Sequence, residues 1–207
     1  MNRVDKLNAI FKIYEDEIGK YNFYCNEGCS TCCTGNVILT SLECENLLKI
    51  DIDIDSLKKN LGSERFHPKL TTNMIADHMK NGLDLPEENI DSSWGKCVFL
   101  EKDLCSVYEK RPFGCRCMVS SVNCKDSDYA ETDPYILTLN NVILQYIEHL
   151  DHEGFTGNIL DMVIFKSDLT ERFIKNRKMS ILMVPFEHRE KIGPVLSSLS
   201  KLFKGNL

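Results

Sequence analysis

Residues 25–33 have the sequence CNEGCSTCC, which places four cysteines within nine residues. More cysteines lie further along the chain, at Cys97, Cys105, Cys115, Cys117 and Cys124. Soft divalent metals and iron–sulfur clusters are bound by thiolates, so cysteines at this density predict a thiolate metal site. The fold must therefore bring two cysteine-rich segments, far apart in sequence, to one place.

The first segment has the spacing of a chelating loop. Two cysteines separated by two or three residues can turn both sulfur atoms to the same side of a tight loop, and Gly28 gives the backbone the freedom for such a loop. Cys29 and Cys32 are therefore interpreted as a chelating pair, and Cys25 adds a third sulfur at slightly wider spacing.

The adjacent pair Cys32 and Cys33 favours more than one metal ion. Neighbouring side chains diverge, so both sulfurs reach a single ion only with strain. Eight sulfurs suit two tetrahedral four-cysteine zinc sites, with Zn–S distances of about 2.3 Å. They suit equally one cubane cluster with a separate ion, or two clusters, and the spacing leaves these alternatives open.

The tenth cysteine and the histidines are interpreted differently. Cys44 falls on the apolar face of a predicted helix, where cysteine behaves as a small hydrophobic residue. The five histidines are scattered and are expected to be surface or structural residues. A site of three cysteines and one histidine stays open, because His67 lies in a predicted loop beside Pro68.

Composition indicates an ordinary globular protein. The chain has 207 residues, 43% of them hydrophobic and 27% charged, which is enough to build a core. The formal net charge of −6 argues against nucleic acid as the main partner. The N-terminal stretch lacks the apolar segment of a signal peptide, and no stretch has the ~18 apolar residues of a membrane helix. We therefore expect a cytoplasmic protein whose cysteines are reduced.

The hydrophobic spacing predicts a mainly α fold, as one helical domain over residues 1–207. A capping box of Thr40 and Glu43 begins the second predicted helix, and Asp133 with Pro134 begins another. Two β-prone runs in residues 97–108 predict a small hairpin that brings Cys97 close to Cys105. The predicted helices are 4–18, 40–50, 70–80, 133–150, 158–176 and 186–203, with a short strand at 36–39. The two cysteine loops and the hairpin are expected to converge on a metal site at one edge.

The cysteine segments together resemble a known family. CNEGCSTCC is followed by CVFL from Cys97 and by CSVYEKRPFGCR at residues 105–116, and this combination is similar to the YkgJ-type CxxCxxCC family. That family is described as a zinc- or iron-chelating domain with eight cysteines. The resemblance covers roughly residues 24–125, the expected metal-binding region, and residues 133–207 are expected to form a C-terminal helical extension.

The resemblance implies a set of metal ligands. They are Cys25, Cys29, Cys32, Cys33, Cys97, Cys105, Cys115 and Cys124. Cys117 stands where relatives have an apolar or aromatic residue, so Cys124 is preferred over Cys117 as the eighth ligand. Arg111 and Arg116 are expected beside the cofactor, because a guanidinium can donate to thiolate sulfur and offset its negative charge.

The sequence leaves three classes of function open. The first is a protein that binds an iron–sulfur cluster or zinc in a structural or electron-transfer role, with a redox or protein partner. The second is an enzyme that modifies a protein substrate, because a similar cysteine pattern occurs in flagellin lysine N-methylases. The third is metal handling or sensing. No GxGxxG, P-loop, HExxH or GxSxG motif supports another chemistry.

Overall fold

The computed structural model describes residues 1–89, 95–166 and 172–203. Helices are the main element of the described chain. They are α1 (Arg3–Ile18), α2 (Ser41–Leu47), α3 (Ile54–Lys58), α4 (Thr72–Lys80), α5 (Phe113–Arg116), α6 (Cys124–Ser127), α7 (Pro134–Leu150), α8 (Ile159–Ile164) and α9 (Arg189–Phe203). Short 3₁₀ turns occupy Tyr108–Lys110 and Phe186–His188. No helix of the described ranges combines the length and the apolar character needed to cross a bilayer.

Two small antiparallel sheets complete the fold. The strands are β1 (Ile38–Thr40), β2 (Leu100–Glu101), β3 (Leu104–Cys105), β4 (Phe155–Asn158) and β5 (Ile174–Lys175). The three-stranded sheet has the order β1-β4-β5, and its register pairs Leu39 with Gly157 and Thr156 with Ile174. The hairpin of β2 and β3 pairs Leu100 with Cys105.

The larger core lies where α1 packs against α7 and α9. The predicted stripe of α1 supplies the fully buried Leu7 and Tyr14, and α7 supplies Leu139 and Ile143. Amphipathic helices of this kind gain most of their stability by burying one apolar face. The core therefore joins the N-terminal helix to the C-terminal part of the chain.

A second core lies beside the three-stranded sheet. Leu39 of β1, Leu47 of α2 and Met162 of α8 are buried there. Cys44 is also fully buried in this core, and its Sγ donates to the Met162 carbonyl at 3.5 Å. The prediction that Cys44 is a core residue is confirmed.

Buried carboxylates connect these elements. Asp151, after α7, accepts hydrogen bonds from the hydroxyl of Ser41 at 2.6 Å and from the amide of Leu42 at 3.0 Å, and it pairs with Arg3. Glu148 accepts from the Thr71 hydroxyl at 2.7 Å. Burial raises the pKa of both carboxyl groups, so the hydrogen-bond donors around them offset part of the cost of burial.

Most predicted elements are found near their expected positions. The capping box of Thr40 and Glu43 is present, and Asp133 with Pro134 begins α7. The strand predicted at 36–39 is displaced to Ile38–Thr40, and the helix that follows it ends at Leu47 instead of residue 50. The hairpin is present, although each strand has only two residues and Cys97 lies before the first.

The helix predicted over 158–176 is wrong in its extent. Helix α8 ends at Ile164, and residues 174–175 pair with β4 as the edge strand β5. Residues 167–171 lie outside the described ranges. The apolar spacing that predicted one long helix comes from a short buried helix followed by a strand, and periodicity does not separate these for short apolar runs.

Candidate metal centre

Backbone hydrogen bonds connect the end of the first cysteine loop to residues 95–97, just before the β2–β3 hairpin. The amide of Cys97 donates to the carbonyl of Cys33 at 3.0 Å, and the amide of Gly35 donates to Gly95 at the same distance. An isolated bridge between Thr34 and Lys96 lies between these two bonds. Cys33 and Cys97, more than sixty residues apart in sequence, are therefore direct neighbours.

The hairpin then returns the chain to the same place. Its turn places Lys102 and Asp103 at φ 49° and 67°, the left-handed conformation that two-residue hairpin turns require. Asp103 also accepts a hydrogen bond from the Ser30 hydroxyl at 2.6 Å, which links the turn to the first cysteine loop. Cys105 is paired with Leu100 in the hairpin and lines the same cavity as the cysteines of the first loop.

Helix α5 brings Cys115 to this region, and Glu43 fixes the start of α5. Glu43 is buried, and its Oε1 accepts the Phe113 amide at 2.7 Å while Oε2 accepts the Thr40 amide at 2.8 Å. Gly114 packs against β1 so closely that an added Cβ would lie 2.9 Å from the Ile38 carbonyl oxygen. Burial raises the pKa of Glu43 despite these hydrogen bonds.

The segment after α5 is attached to the beginning of the first cysteine loop. The amide of Tyr24 donates to the carbonyl of Ser120 at 2.9 Å, which holds Cys25 near residues 117–124. The carbonyl of Cys117 accepts from Nδ2 of Asn140 in α7 at 3.2 Å. This segment is therefore held between the first loop and the larger core.

These contacts leave two adjoining cavities lined by cysteine side chains. The first has a volume of about 210 Å³, and the second has a volume of about 430 Å³. Three cysteines line both cavities: Cys25, Cys29 and Cys32. Four line only the first: Cys33, Cys97, Cys105 and Cys115. Two line only the second: Cys117 and Cys124.

The thiols around Cys33 and those around Cys25 are largely different ones, although, besides burial, the thiol of Cys117 also raises the pKa of Cys115 in the first cavity. The pKa of the Cys33 thiol is lowered by a hydrogen bond with Cys32, although burial and the neighbouring sulfurs of Cys97, Cys105 and Cys115 oppose this. Burial raises the pKa of Cys25, and the thiols near it are Cys29, Cys32 and Cys124. Each of these two cysteines thus has a different set of sulfur neighbours.

Burial keeps several of these thiols protonated. It raises the pKa of Cys97 and of Cys115, and it raises that of Cys117 to about 12. The pKa of Cys32 is also raised, chiefly by its hydrogen bond with Cys33 and then by burial. A thiol must lose its proton to bind a metal ion, so binding at these residues would release protons.

The two arginines predicted beside the cofactor both line the first cavity. The guanidinium of Arg111 stacks 3.7 Å from the centre of the Tyr108 ring, and its charge opposes the raised pKa of Cys115. Arg116 pairs with Glu15 and donates to the carbonyl of Glu109. In the described chain neither guanidinium donates to a sulfur atom, so their expected role stays a prediction.

The sulfur atoms of the cavity cysteines are not arranged around a common point that could hold a metal ion. Within residues 1–89, 95–166 and 172–203, no three His, Cys, Asp or Glu side chains form a group with metal-binding geometry. Nor does any histidine of these ranges line either cysteine cavity. His67 lies 3.7 Å from Asp161 at a different part of the surface.

Two features of this region are absent from the sequence-based prediction. The sequence predicts the capping box of Glu43, but the contact of Glu43 with the Phe113 amide depends on the three-dimensional fold. Asn140 lies on the buried face of α7, between the fully buried Leu139 and Ile143. A polar residue on an apolar helix face is a sequence signal for a tertiary hydrogen bond, and here that bond reaches Cys117.

One family model matches this chain. It is described as "CxxCxxCC: Putative zinc- or iron-chelating domain", and it covers residues 24–136, more than half of the 207 residues. No curated protein matches the chain, and no solved structure matches it. The matched residues include every cysteine that lines the two cavities.

Proposed function

The chain belongs to this family of zinc- or iron-chelating domains, and from that premise we propose that it holds metal at two separate thiolate centres. The first centre uses Cys33, Cys97, Cys105 and Cys115. The second uses Cys25, Cys29, Cys32 and Cys124. The metal is zinc or the iron of an iron–sulfur cluster, and its role is distinct from holding the fold together.

The observation that supports two centres is the division of the cysteines between the cavities. Four cysteines line only the first cavity, and four is the number of ligands that a tetrahedral zinc ion or a cubane cluster takes from a protein. The Cys97–Cys33 backbone bond, the hairpin and helix α5 place these four cysteines, which come from three segments, along one cavity. The adjacent residues Cys32 and Cys33 then belong to different centres, so neither centre requires both side chains to reach one ion.

The chemistry of the donors fits metal, while their present geometry requires side-chain rotation. Seven cysteines line the first cavity, and thiolate sulfur is the donor that zinc and iron–sulfur clusters prefer. Because no three donors of the described chain yet surround one point, the cysteine side chains would turn toward the ion as it binds. Iron–sulfur would supply one-electron transfer at these positions, and zinc would supply a redox-inert charge.

The residues that build the two cores support a role for the metal other than stabilising the fold. The larger core is built by α1, α7 and α9, and its buried side chains come mostly from outside the cysteine loops. Among the described residues, Cys44 is the one cysteine fully buried in the second core, and it lies outside both cavities, while Cys97 and Cys105 pack against this core from the first cavity. Small metal domains unfold without their ion because they lack such cores. This chain should keep its helices without metal, which favours electron transfer or metal handling over a structural site.

Elemental analysis with an absorption spectrum tests the proposal, on protein purified without oxygen. Two zinc ions per chain, or iron with sulfide and a broad visible absorption, are the expected results. A chelator should then remove the metal while far-UV circular dichroism keeps its helical signal. If the protein bound no zinc or iron, either as purified or after reconstitution, the proposal of metal binding would be wrong. Collapse of the helical signal on metal removal would instead make the site structural.

A further inference from the structure

The second cavity contains one thiol more than a four-coordinate centre uses. After the first centre takes its four cysteines, five remain along the second cavity: Cys25, Cys29, Cys32, Cys117 and Cys124. A tetrahedral ion or a cubane cluster uses four protein ligands. One thiol of the five is therefore spare at any moment.

The spare thiol is that of Cys117 or that of Cys124. The other three cysteines come from the first loop and line both cavities, while these two line only the second. Cys117 follows α5 and is held on both sides, because its amide donates to Phe113 at 2.9 Å and its carbonyl accepts from Asn140. Cys124 is the first residue of α6, a helix of four residues among mostly exposed neighbours.

The hydrogen bonds that hold the two thiols in their present positions are weak. The Sγ of Cys117 donates to the Gly114 carbonyl at 3.5 Å, and the Sγ of Cys124 donates to the Val122 carbonyl at 3.9 Å. Thiols are weak donors, so neither bond holds its side chain away from the cavity strongly. Cys117 is also near the thiol of Cys32, which lines both cavities and is assigned to the second centre.

We propose that Cys117 and Cys124 are alternative fourth ligands of the second centre, so that the centre can exchange one for the other without releasing its metal. This inference rests on the proposed function, since it assigns a ligand to a centre that the proposal introduces. The exchange would replace the sulfur of one of these two cysteines by the sulfur of the other. The proton that the entering thiol loses matches the proton that the leaving thiolate takes, so the charge of the centre does not change.

The exchange would distinguish the two centres in function. The first centre has one set of four ligands and keeps a fixed coordination. In the second, the three cysteines of the first loop would hold the metal while the fourth ligand changes, and the fourth position would then be open to another ligand. Metal sites that bind substrates or pass on their ion keep such an open position, whereas structural sites are closed. The second centre is therefore the one suited to metal transfer or to binding an external ligand.

Redundancy between the two cysteines is tested with three variants, Cys117→Ala, Cys124→Ala and the double variant. Cys44→Ala is the matched control, because it removes a cysteine that lines neither cavity. Metal content is measured after reconstitution with Co²⁺, whose absorption reports how many sulfur atoms bind it. Each single variant should keep the wild-type metal content and a four-sulfur spectrum, and the double variant should lose the metal of one centre. Loss of one metal from either single variant overturns the inference, as does a double variant that keeps both.

A kinetic measurement keeps the inference testable if the double variant does not fold. In the wild type, either Cys117 or Cys124 can close the coordination again when the other leaves. Each single variant lacks this replacement, so it should release metal to a colorimetric chelator severalfold faster than wild type and Cys44→Ala. Release at the wild-type rate from both single variants would contradict the inference. Wild-type protein that binds no metal would instead refute the proposed function, so the two failures are distinguishable.

Discussion

Replacing Glu43 should damage both stability and metal binding, because this side chain joins the second helix to the start of α5. Its carboxylate accepts hydrogen bonds from the Phe113 amide at 2.7 Å and from the Thr40 amide at 2.8 Å, and the residue is buried. In Glu43→Ala the Phe113 amide loses a buried acceptor, which costs about 1–3 kcal/mol. Loss of the capping box adds about 1 kcal/mol.

The expected total for Glu43→Ala is about 2–4 kcal/mol, and Glu43→Gln should cost less because its amide oxygen still accepts one of the bonds. Removing a carboxylate whose pKa is raised by burial offsets part of either loss. In urea, a cost of this size moves the unfolding midpoint by roughly 1–2 M for a slope of about 2 kcal/mol per M. Cys115 is two residues after Phe113, so Glu43→Ala should also hold metal more weakly.

Glu45 provides the matched control, since it is an exposed glutamate on the same short helix. Glu45→Ala should unfold within about 0.5 kcal/mol of wild type, as surface substitutions usually do. Urea unfolding followed by circular dichroism, with metal content measured on the same samples, compares the variants. If Glu43→Ala unfolded with the wild-type midpoint, or if Glu45→Ala cost as much, the proposed role of the Glu43 contacts would be wrong.

Two further predictions concern the link between the cysteine segments and the response to acid. Ser30→Ala removes the hydrogen bond to Asp103, so metal loss to a chelator should be about two- to fivefold faster while the unfolding midpoint is unchanged; Lys102→Ala in the same turn should not have this effect. The pKa of His149 is lowered, first by burial and then by His152 and Lys178, and its Nδ1 accepts the Met179 amide at 3.2 Å. As the pH drops below about 6.5, His149 therefore takes up a proton in the unfolded chain before it does so in the folded protein, and the free energy of unfolding should decrease. His149→Gln should reduce this pH dependence. A urea midpoint with the same pH dependence in both proteins would contradict the prediction.

Elements defined by local sequence could be predicted well. Helices α1 and α7 each have a long apolar stripe and a clear cap, and the structure places both near their predicted limits. Local signals also identified the buried Cys44. These features depend on residues a few positions apart, which is the range over which sequence periodicity is informative.

Features that depend on pairing between distant segments could not be predicted. Strand β4 has no alternating pattern, and it forms because β1 and β5 lie on either side of it. The division of the cysteines between two cavities depends on the Cys33–Cys97 and Tyr24–Ser120 backbone bonds, which join segments separated by more than sixty residues. The family resemblance therefore predicts the candidate ligands as a set, and that set stays a prediction, while the fold distributes these cysteines between two cavities and places Cys117 in the second.

The metal content of two single-cysteine variants tests the central proposal of two separate centres most directly. Cys97 lines only the first cavity, and Cys29 is assigned to the second centre. Cys117 and Cys124 alternate at a single ligand position and do not replace Cys29. Cys97→Ala and Cys29→Ala should therefore each keep the metal of the other centre, about half of the wild-type content, and the double variant should bind none. If either single substitution removed all the metal, the cysteines would hold one shared cluster, and the proposal of two centres would be wrong.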